Sequence, residues 1–211
     1  MAYPSTDVDM WHFGVGGWHY CDGDGVLEVT GKRIAMPIFF DRIWAMPNAS
    51  TFSIKPIRTI LEKHCTHGLW LDPYARNSLS RTIAPGCEWI TNDLNPACDS
   101  DVHMEALTFL QCFPASYVHG VVYDPPYSPR QITECYQSVG KKATMQDTQS
   151  SFWSKQKNHI ARAVVSGGTV ISFGWNSMGM GIKRGFEIVD IYLIPHGGNH
   201  NDTIVTVERK K

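Results

Sequence analysis

The sequence predicts an α/β fold: a seven-stranded, mostly parallel sheet with an antiparallel closing strand and helices on both faces. Three observations point there. Helical and strand signals alternate from about residue 53 onward, the pattern of strands joined by covering helices. An apolar strand over Val118 to Tyr123 runs directly into Asp124-Pro125-Pro126-Tyr127, where two prolines end any ladder. Two further strand-like runs, Phe186 to Ile194 and Thr203 to Glu208, flank Gly197-Gly198-Asn199 and read as an antiparallel closing pair.

The opening fifty residues differ from the rest. They are rich in Trp, Gly and His (Trp11, Gly14, Gly16, Gly17, Trp18) and end in a strand-like run from Ala35 to Phe40, which predicts an N-terminal extension over 1–50 of one domain spanning 1–211. Pro56 suits a first helical turn, and Ile57, Ile60 and Leu61 recur at helical spacing until Gly68 stops the segment. Leu69 to Tyr74 reads as a strand, and Glu88 to Leu94 as another after a Pro-Gly break. Met104 to Phe113 has helical spacing, and Val118 to Tyr123 then ranks as the fourth strand. Pro129 to Val139 and Ser151 to Val165 are predicted helices, and Gly168 to Trp175 a fifth strand. The inventory fits a Rossmann-like sheet. Gly140 to Ser150 is the least structured stretch, and the chain carries no internal repeat.

Composition bounds the function. With 43% hydrophobic and 18% charged residues, 211 residues suffice for one sizeable core. No run approaches the roughly 18 apolar residues of a spanning helix, and the N-terminus lacks the pattern of a signal peptide, so a soluble cytoplasmic protein with no membrane partner is expected. Six scattered cysteines without a CxxC pair suggest neither a disulfide framework nor a zinc knuckle. Against 20 acidic residues stand 19 basic ones, so a nucleic-acid surface here is a local patch and not a whole-molecule field.

Two patterns are weighed and set aside. Gly14-Val15-Gly16-Gly17 superficially looks like a nucleotide loop but has no clear strand before it or helix after it. His196, His200 and Asp202 are metal-ligating types crowded in a hairpin turn, and no metal is expected.

The chemistry concentrates at Asp124-Pro125-Pro126-Tyr127, at the carboxyl end of a strand, the edge of an open α/β sheet where ligands bind. An aromatic exocyclic amine is a poor nucleophile because its lone pair is delocalised into the ring. A carboxylate and a carbonyl that accept its two hydrogens hold the nitrogen in line with a methyl donor. Asp124 supplies the carboxylate, Pro125 the carbonyl, Pro125 and Pro126 fix the backbone, and Tyr127 stacks on the base. A duplex base must be flipped out to reach such a site, at a cost of a few kcal/mol partly offset by stacking worth about 1–3 kcal/mol. The competing reading of the same residues is a tight turn after a strand.

From Trp44 to Glu208 the chain resembles the amino-methyltransferases of DNA that carry a DPPY motif, especially the compact adenine N6-specific enzymes of phages and prophages. The resemblance implies a class I methyltransferase fold, S-adenosyl-L-methionine as cofactor, a DNA substrate and, for a phage enzyme, the host cytoplasm as location. Phe52-Ser53-Ile54-Lys55-Pro56-Ile57 resembles the segment lying against the methionine end of the cofactor, which brings in Phe52, Lys55 and Pro56; Lys55 also reads as a solvated helix start. Asp72-Pro73-Tyr74-Ala75-Arg76-Asn77-Ser78 is similar to the family's DPFAGSG loop, with Asp72 beside the cofactor ammonium and Pro73, Tyr74, Ala75 and Asn77 lining its approach. Arg76 and Ser78 stand where the family has glycines, which narrows the backbone angles available and crowds the loop. Asp93-Leu94, about 20 residues on, matches the acid that binds ribose hydroxyls in dinucleotide folds, or is a turn-forming acid. Asp101-Val102 resembles the pair that binds the cofactor adenine, with helix capping as the other role of Asp101.

Trp175 and Asn176 follow the fifth strand beside the family's target-base pocket, although Trp175 also reads as plain packing. Candidate DNA contacts are Arg130, Lys141, Lys142, Lys183, Arg184 and the tail Arg209-Lys210-Lys211. No segment is long enough for a target-recognition domain, so recognition is short, relaxed, or shared with a second copy or partner subunit. Methylation of RNA adenine, cytosine N4 or a protein glutamine stands as the alternative, as does an inactive subunit that only grips nucleic acid. Retention of Asp93 and the whole tetrapeptide argues against the last.

Overall fold

The computed structural model describes residues 26–29, 32–35, 38–145 and 147–211. The chain divides into two compact units, Met1–Ile38 and Phe39–Lys211. In the first, β1 (Val26–Val29) and β2 (Lys32–Ala35) pair antiparallel, with Val26 opposite Ala35 and Val29 opposite Lys32. The readings made at Trp11, Gly14 to Gly17 and Trp18 fall outside the described residues.

The second unit carries a seven-stranded sheet of β3 (Phe39–Arg42), β4 (Leu69–Asp72), β5 (Glu88–Thr91), β6 (Val118–Tyr123), β7 (Val164–Gly174), β8 (Phe186–Ile194) and β9 (Thr203–Lys210). Their order is β3-β8-β9-β7-β6-β4-β5. Only β9 runs against its neighbours, and every other pairing is parallel. Six strands therefore point their carboxyl ends at one edge, and the chain departs from β4 toward β5 on one side and from β6 on the other. That divergence is the position where open α/β sheets bind ligands.

Side-chain alternation sends successive strand residues into two cores. Trp70, Val122 and Ile171 face α1 (Lys55–His64) and α2 (Leu79–Ile83), with Ile57, Ile60 and Leu61 of α1 packed against them. Leu71, Val121 and Val170 face α3 (Ala106–Gln111) and α5 (Ser150–Ala163), which contribute Phe109, Leu110, Ile160 and Ala163. Between them α4 (Pro129–Ser138) buries Ile132 and Tyr136 against Phe152 of α5. Among the described residues no helix is long and apolar enough to cross a membrane.

The sheet has the seven strands the sequence predicts. The strand-like run read at Ala35 to Phe40 overlaps β3, which pairs in parallel with β8 from Phe39–Asp190 to Arg42–Leu193. Between β5 and β6 there is a single parallel bridge, Asn92 with Val102. The five-residue α2 is too short to show a periodicity and was not foreseen. β7 begins four residues earlier than predicted because a register shift between Val118 and Gly120 absorbs the Gly167-Gly168 break.

Candidate active site

β6 is buried along nearly its whole length, and the chain leaves it at Asp124. The corner beyond the strand is tightly fixed. The side chain of Ser128 caps α4 by accepting from Gln131 N at 3.3 Å, Pro129 opens the helix, and Gln131 Oε1 accepts from Tyr127 N at 2.7 Å. Trp153 Nε1 donates to the Pro126 carbonyl at 3.0 Å. The Pro125 carbonyl accepts from no group among the described residues. Thus one proline carbonyl is anchored and the one beside Asp124 is left as an acceptor.

The Asp124 carboxylate accepts from the hydroxyl of Tyr127, and burial pushes its pKa above the usual carboxylate range against that hydrogen bond, the nearby Thr51 hydroxyl and the Arg76 charge. Thr51 belongs to a 3-10 turn over Thr51–Ser53 whose Phe52 ring lies 5.4 Å from that of Phe173. Tyr127 meets Trp175 edge to face, with ring centroids 5.7 Å apart.

A cavity of about 660 Å³ opens over Asp124 and is lined by Phe52, Tyr74, Ala75, Asn77, Asp93 and the whole tetrapeptide. A second, of about 340 Å³, adjoins it through Tyr74, Arg76, Asp93 and Pro126 and continues between Leu94, Met104 and Phe152. Both sizes fall within the roughly 300–1,000 Å³ of small-molecule sites. The loop after β4 forms their shared wall. Arg76 and Ser78, which replace the expected glycines, hold the left-handed backbone those glycines would supply, at φ 49° and 52°. Compensating bonds keep them there. Arg76 N donates to Asp93 Oδ2 at 3.0 Å and its guanidinium to the Ala49 carbonyl, while Ser78 Oγ donates to Thr91 Oγ1 at 3.1 Å and to the Asp99 carbonyl.

Phe52, Pro73, Tyr74, Ala75, Asn77, Asp93 and Leu94 thus gather on the cavities with Asp124 to Tyr127. Others do not. Asp72 is completely buried beneath the loop, accepting from Ser80 Oγ at 2.7 Å and Tyr74 N at 3.3 Å, and burial raises its pKa to about 7. It is a strut for the loop and is absent from both linings, as are Lys55 and Pro56, which open α1. Asp101 Oδ2 is engaged by Thr91 N at 2.8 Å, Thr91 Oγ1 at 2.9 Å and Arg81 Nη2 at 2.5 Å. Val102 N is spent on the Thr91 carbonyl at 3.1 Å. The pair expected on the cofactor adenine closes the end of β5.

The basic residues separate in the same way. Arg130 is exposed and pairs with Glu134 at 2.8 Å, and Lys141, Lys142 and Lys183 are exposed. Arg184 is used internally, bonding Asn158 Oδ1 at 2.8 Å, the Met180 carbonyl at 2.9 Å and Ser154 Oγ at 3.0 Å. The tail lies at the far edge of the sheet, because β9 runs antiparallel and pairs Arg209 with Thr169 and Lys210 with Phe186. His196 is a packed strut, its ring nitrogens each 2.9 Å from Ala45 O and Thr203 Oγ1.

Residues the sequence reading missed include Thr51, Gln131 and Gln156. Gln156 is fully buried, and its Oε1 accepts from the hydroxyls of Tyr74 at 2.8 Å and Tyr123 at 2.9 Å, tying the first loop to β6. A lone Gln on the apolar stripe Phe152, Gln156, Ile160, Ala163 of α5 was the available signal.

No protein-family model and no curated protein matches the sequence. Solved structures do. The fold is similar to 1,6-didemethyltoxoflavin-N1-methyltransferase of Burkholderia thailandensis with bound 1,6-didemethyltoxoflavin and S-adenosylhomocysteine, at 12% identity over 74% of this chain and 77% of that one, TM-score 0.53. It is similar to the N-methyltransferase NodS of Bradyrhizobium japonicum WM9, at 12% identity over 78% and 99%, TM-score 0.51. NodS in complex with S-adenosylhomocysteine gives 13% identity over 77% and 89%, TM-score 0.50. The chain has the Rossmann-like fold of the S-adenosylmethionine-dependent methyltransferases.

Proposed function

We propose that the protein is an S-adenosylmethionine-dependent methyltransferase acting on the N6 amine of adenine in DNA. The observation that carries this reading is the pairing of the half-buried Asp124 carboxylate with the unspent Pro125 carbonyl at the mouth of the larger cavity. Two acceptors fixed side by side match the two hydrogens of an exocyclic amine. They preorganise the nitrogen and require little rearrangement as charge develops.

The cleft suits the cofactor. Asp93 stands at the seam of the two cavities with one oxygen accepting from Arg76 N and the other from Asn95 N, which leaves further lone pairs for ribose hydroxyls, and the slot between Leu94, Met104 and Phe152 is apolar enough for its adenine. Bound there, S-adenosylmethionine supplies an electrophilic methyl on a sulfonium. Asp124 and Pro125 hold the amine, whose lone pair forms the new carbon–nitrogen bond as the carbon–sulfur pair returns to sulfur. The proton released from the methylated nitrogen leaves along its hydrogen bond to Asp124, a carboxylate whose pKa burial has already raised. Tyr127 and Trp175 offer the aromatic faces for the flipped base.

The test is transfer of labelled methyl to duplex DNA, single-stranded DNA and RNA, with identification of the methylated nucleoside. N6-methyladenine in DNA is expected, with no transfer by Asp124→Ala although it still binds the cofactor. Label found only in RNA, in cytosine or in protein moves the substrate, and failure to bind S-adenosylmethionine sinks the enzyme assignment.

A further inference from the structure

Behind Tyr127, on the side away from Asp93, lies a separate cavity of about 270 Å³. Its lining shares Pro125 and Tyr127 with the cleft over Asp124 and otherwise comes from the last residue of β6, α5, the end of β7 and the loop after it. Five aromatic residues, Tyr123, Tyr127, Trp153, Phe173 and Trp175, line it. Its shape and chemistry suit a flat heteroaromatic ring.

The polar side chains on this wall are nearly all spent. Tyr123 donates to Gln156 at 2.9 Å, Trp153 to the Pro126 carbonyl at 3.0 Å, Tyr127 to Asp124, Lys157 to the Gly179 carbonyl at 2.5 Å, and Asn176 Oδ1 accepts from Met178 N at 3.1 Å. Ser172 differs. It is 6% exposed, yet its hydroxyl has no hydrogen-bond partner, although it sits beside Tyr123 in the β6–β7 register, one residue from Asp124 along the neighbouring strand. A buried hydroxyl left unpaired is costly, and one on a residue that lines a cavity with Pro125 and Tyr127 is available to a ligand that fills it.

We infer that this compartment receives the acceptor base and that Ser172 determines its specificity by hydrogen-bonding a ring nitrogen next to the amine. The inference rests on the proposed adenine chemistry and adds the group that tells one ring edge from another. Asp124 and Pro125 see only an amine, which adenine and cytosine share. A hydroxyl donor directed at the ring rejects an analogue with a C–H at that position, because the site's own polar group is then left unsatisfied.

The experiment compares wild type, Ser172→Ala and Ser172→Thr on the DNA that the wild type methylates, with adenine, 1-deazaadenine or 7-deazaadenine at the target position. Ser172→Ala is expected to lower kcat/KM for adenine by about 10- to 100-fold, mainly through KM for DNA, while cofactor affinity holds and Ser172→Thr recovers part of the loss. One deaza substrate should be equally poor for wild type and Ser172→Ala, and it names the nitrogen. The melting temperature of Ser172→Ala should stay level or rise, since no existing bond is removed. Wild-type kinetics in Ser172→Ala overturn the inference and leave the adenine reading intact. A fall in stability with unchanged kinetics also overturns it and assigns the hydroxyl to Thr206, its neighbour on β9, whose own hydroxyl has no partner. A wild type that methylates no base overturns both.

Discussion

The hydroxyl of Tyr127 donates to the carboxylate of Asp124, so the two ends of one tetrapeptide are bound to each other across two prolines. Burial pushes the Tyr127 phenol well above its ordinary pKa, and the Asp124 charge beside it pushes the same way, so the proton stays on the phenol. On the proposed chemistry a substrate amine takes over a position on Asp124 that this hydroxyl already holds, which would make Tyr127 both the stacking surface and a competitor for the acceptor.

Tyr127→Phe keeps the ring and removes the competitor, so methyl transfer should be retained or rise by up to about threefold. Tyr127→Ala removes the ring and should cost about 10- to 100-fold, the value of one base stack. Steady-state kinetics with DNA decide it; a Phe variant as impaired as Ala would place the function in the hydroxyl.

Asp93 and Asp101 looked equivalent in sequence as cofactor carboxylates, and the structure separates them. Asp93→Ala should weaken S-adenosylmethionine binding by at least about 10-fold, as expected when charge-assisted hydrogen bonds worth about 1.5–3 kcal/mol are removed. Asp101→Ala should leave that affinity within about threefold and instead lower stability by roughly 1–3 kcal/mol, because Thr91 N loses its partner at the end of β5. Calorimetric titration alongside denaturant melts checks both, and the reverse ranking would restore Asp101 to the cofactor.

The contrast shows what was legible in the residues. Strand positions from β4 onward, the antiparallel closure and the sharp corner after β6 are readable, because burial periodicity and paired prolines act locally. The fate of Asp101 is not. It depends on Arg81 and Thr91, ten or more residues away. In the same way, Arg76 and Ser78 read as obstacles, since sequence names the missing glycines but not the bonds to Asp93, Ala49 and Asp99 that hold a left-handed backbone without them. Arg184 read as a phosphate contact because its charge is visible in sequence and its three internal partners are not.

Asp72 should make stability fall as pH rises. Burial, reinforced by the charges of Asp124 and Asp93, raises its folded-state pKa to about 7 from the ordinary 3.8. Between those values the folded protein keeps a proton that the unfolded chain has released, so this group's contribution is complete below the lower value and is lost as pH rises through about 7. The full shift corresponds to an upper bound on the order of 4 kcal/mol. Asp72→Asn mimics the protonated form, with its amide donating to Ser80 Oγ and its oxygen accepting from Tyr74 N. Denaturant melts at pH 5 and pH 8.5 should show the variant gaining on wild type at the higher pH; parallel profiles would mean that Asp72 is ionised when folded.

Gly179 carries the last expectation. Its φ is +47°, and an added Cβ would stand 2.2 Å from Glu208 Oε2, in the clamp where Glu208 accepts from Met180 N at 2.5 Å and Gly181 N at 2.9 Å. Gly185, at φ +82° with nothing within 4 Å, is the matched control for backbone strain alone. Gly185→Ala should cost about 1–2 kcal/mol. Gly179→Ala should cost that plus roughly 1–3 kcal/mol for displacing the buried carboxylate from its donors. Because Met178 and Gly179 line the compartment behind Tyr127, Gly179→Ala should also slow methyl transfer while Gly185→Ala leaves it unchanged. Equal melting shifts for the two variants would show that Glu208 moves aside freely, and that the loop beside the base is not held by this clamp.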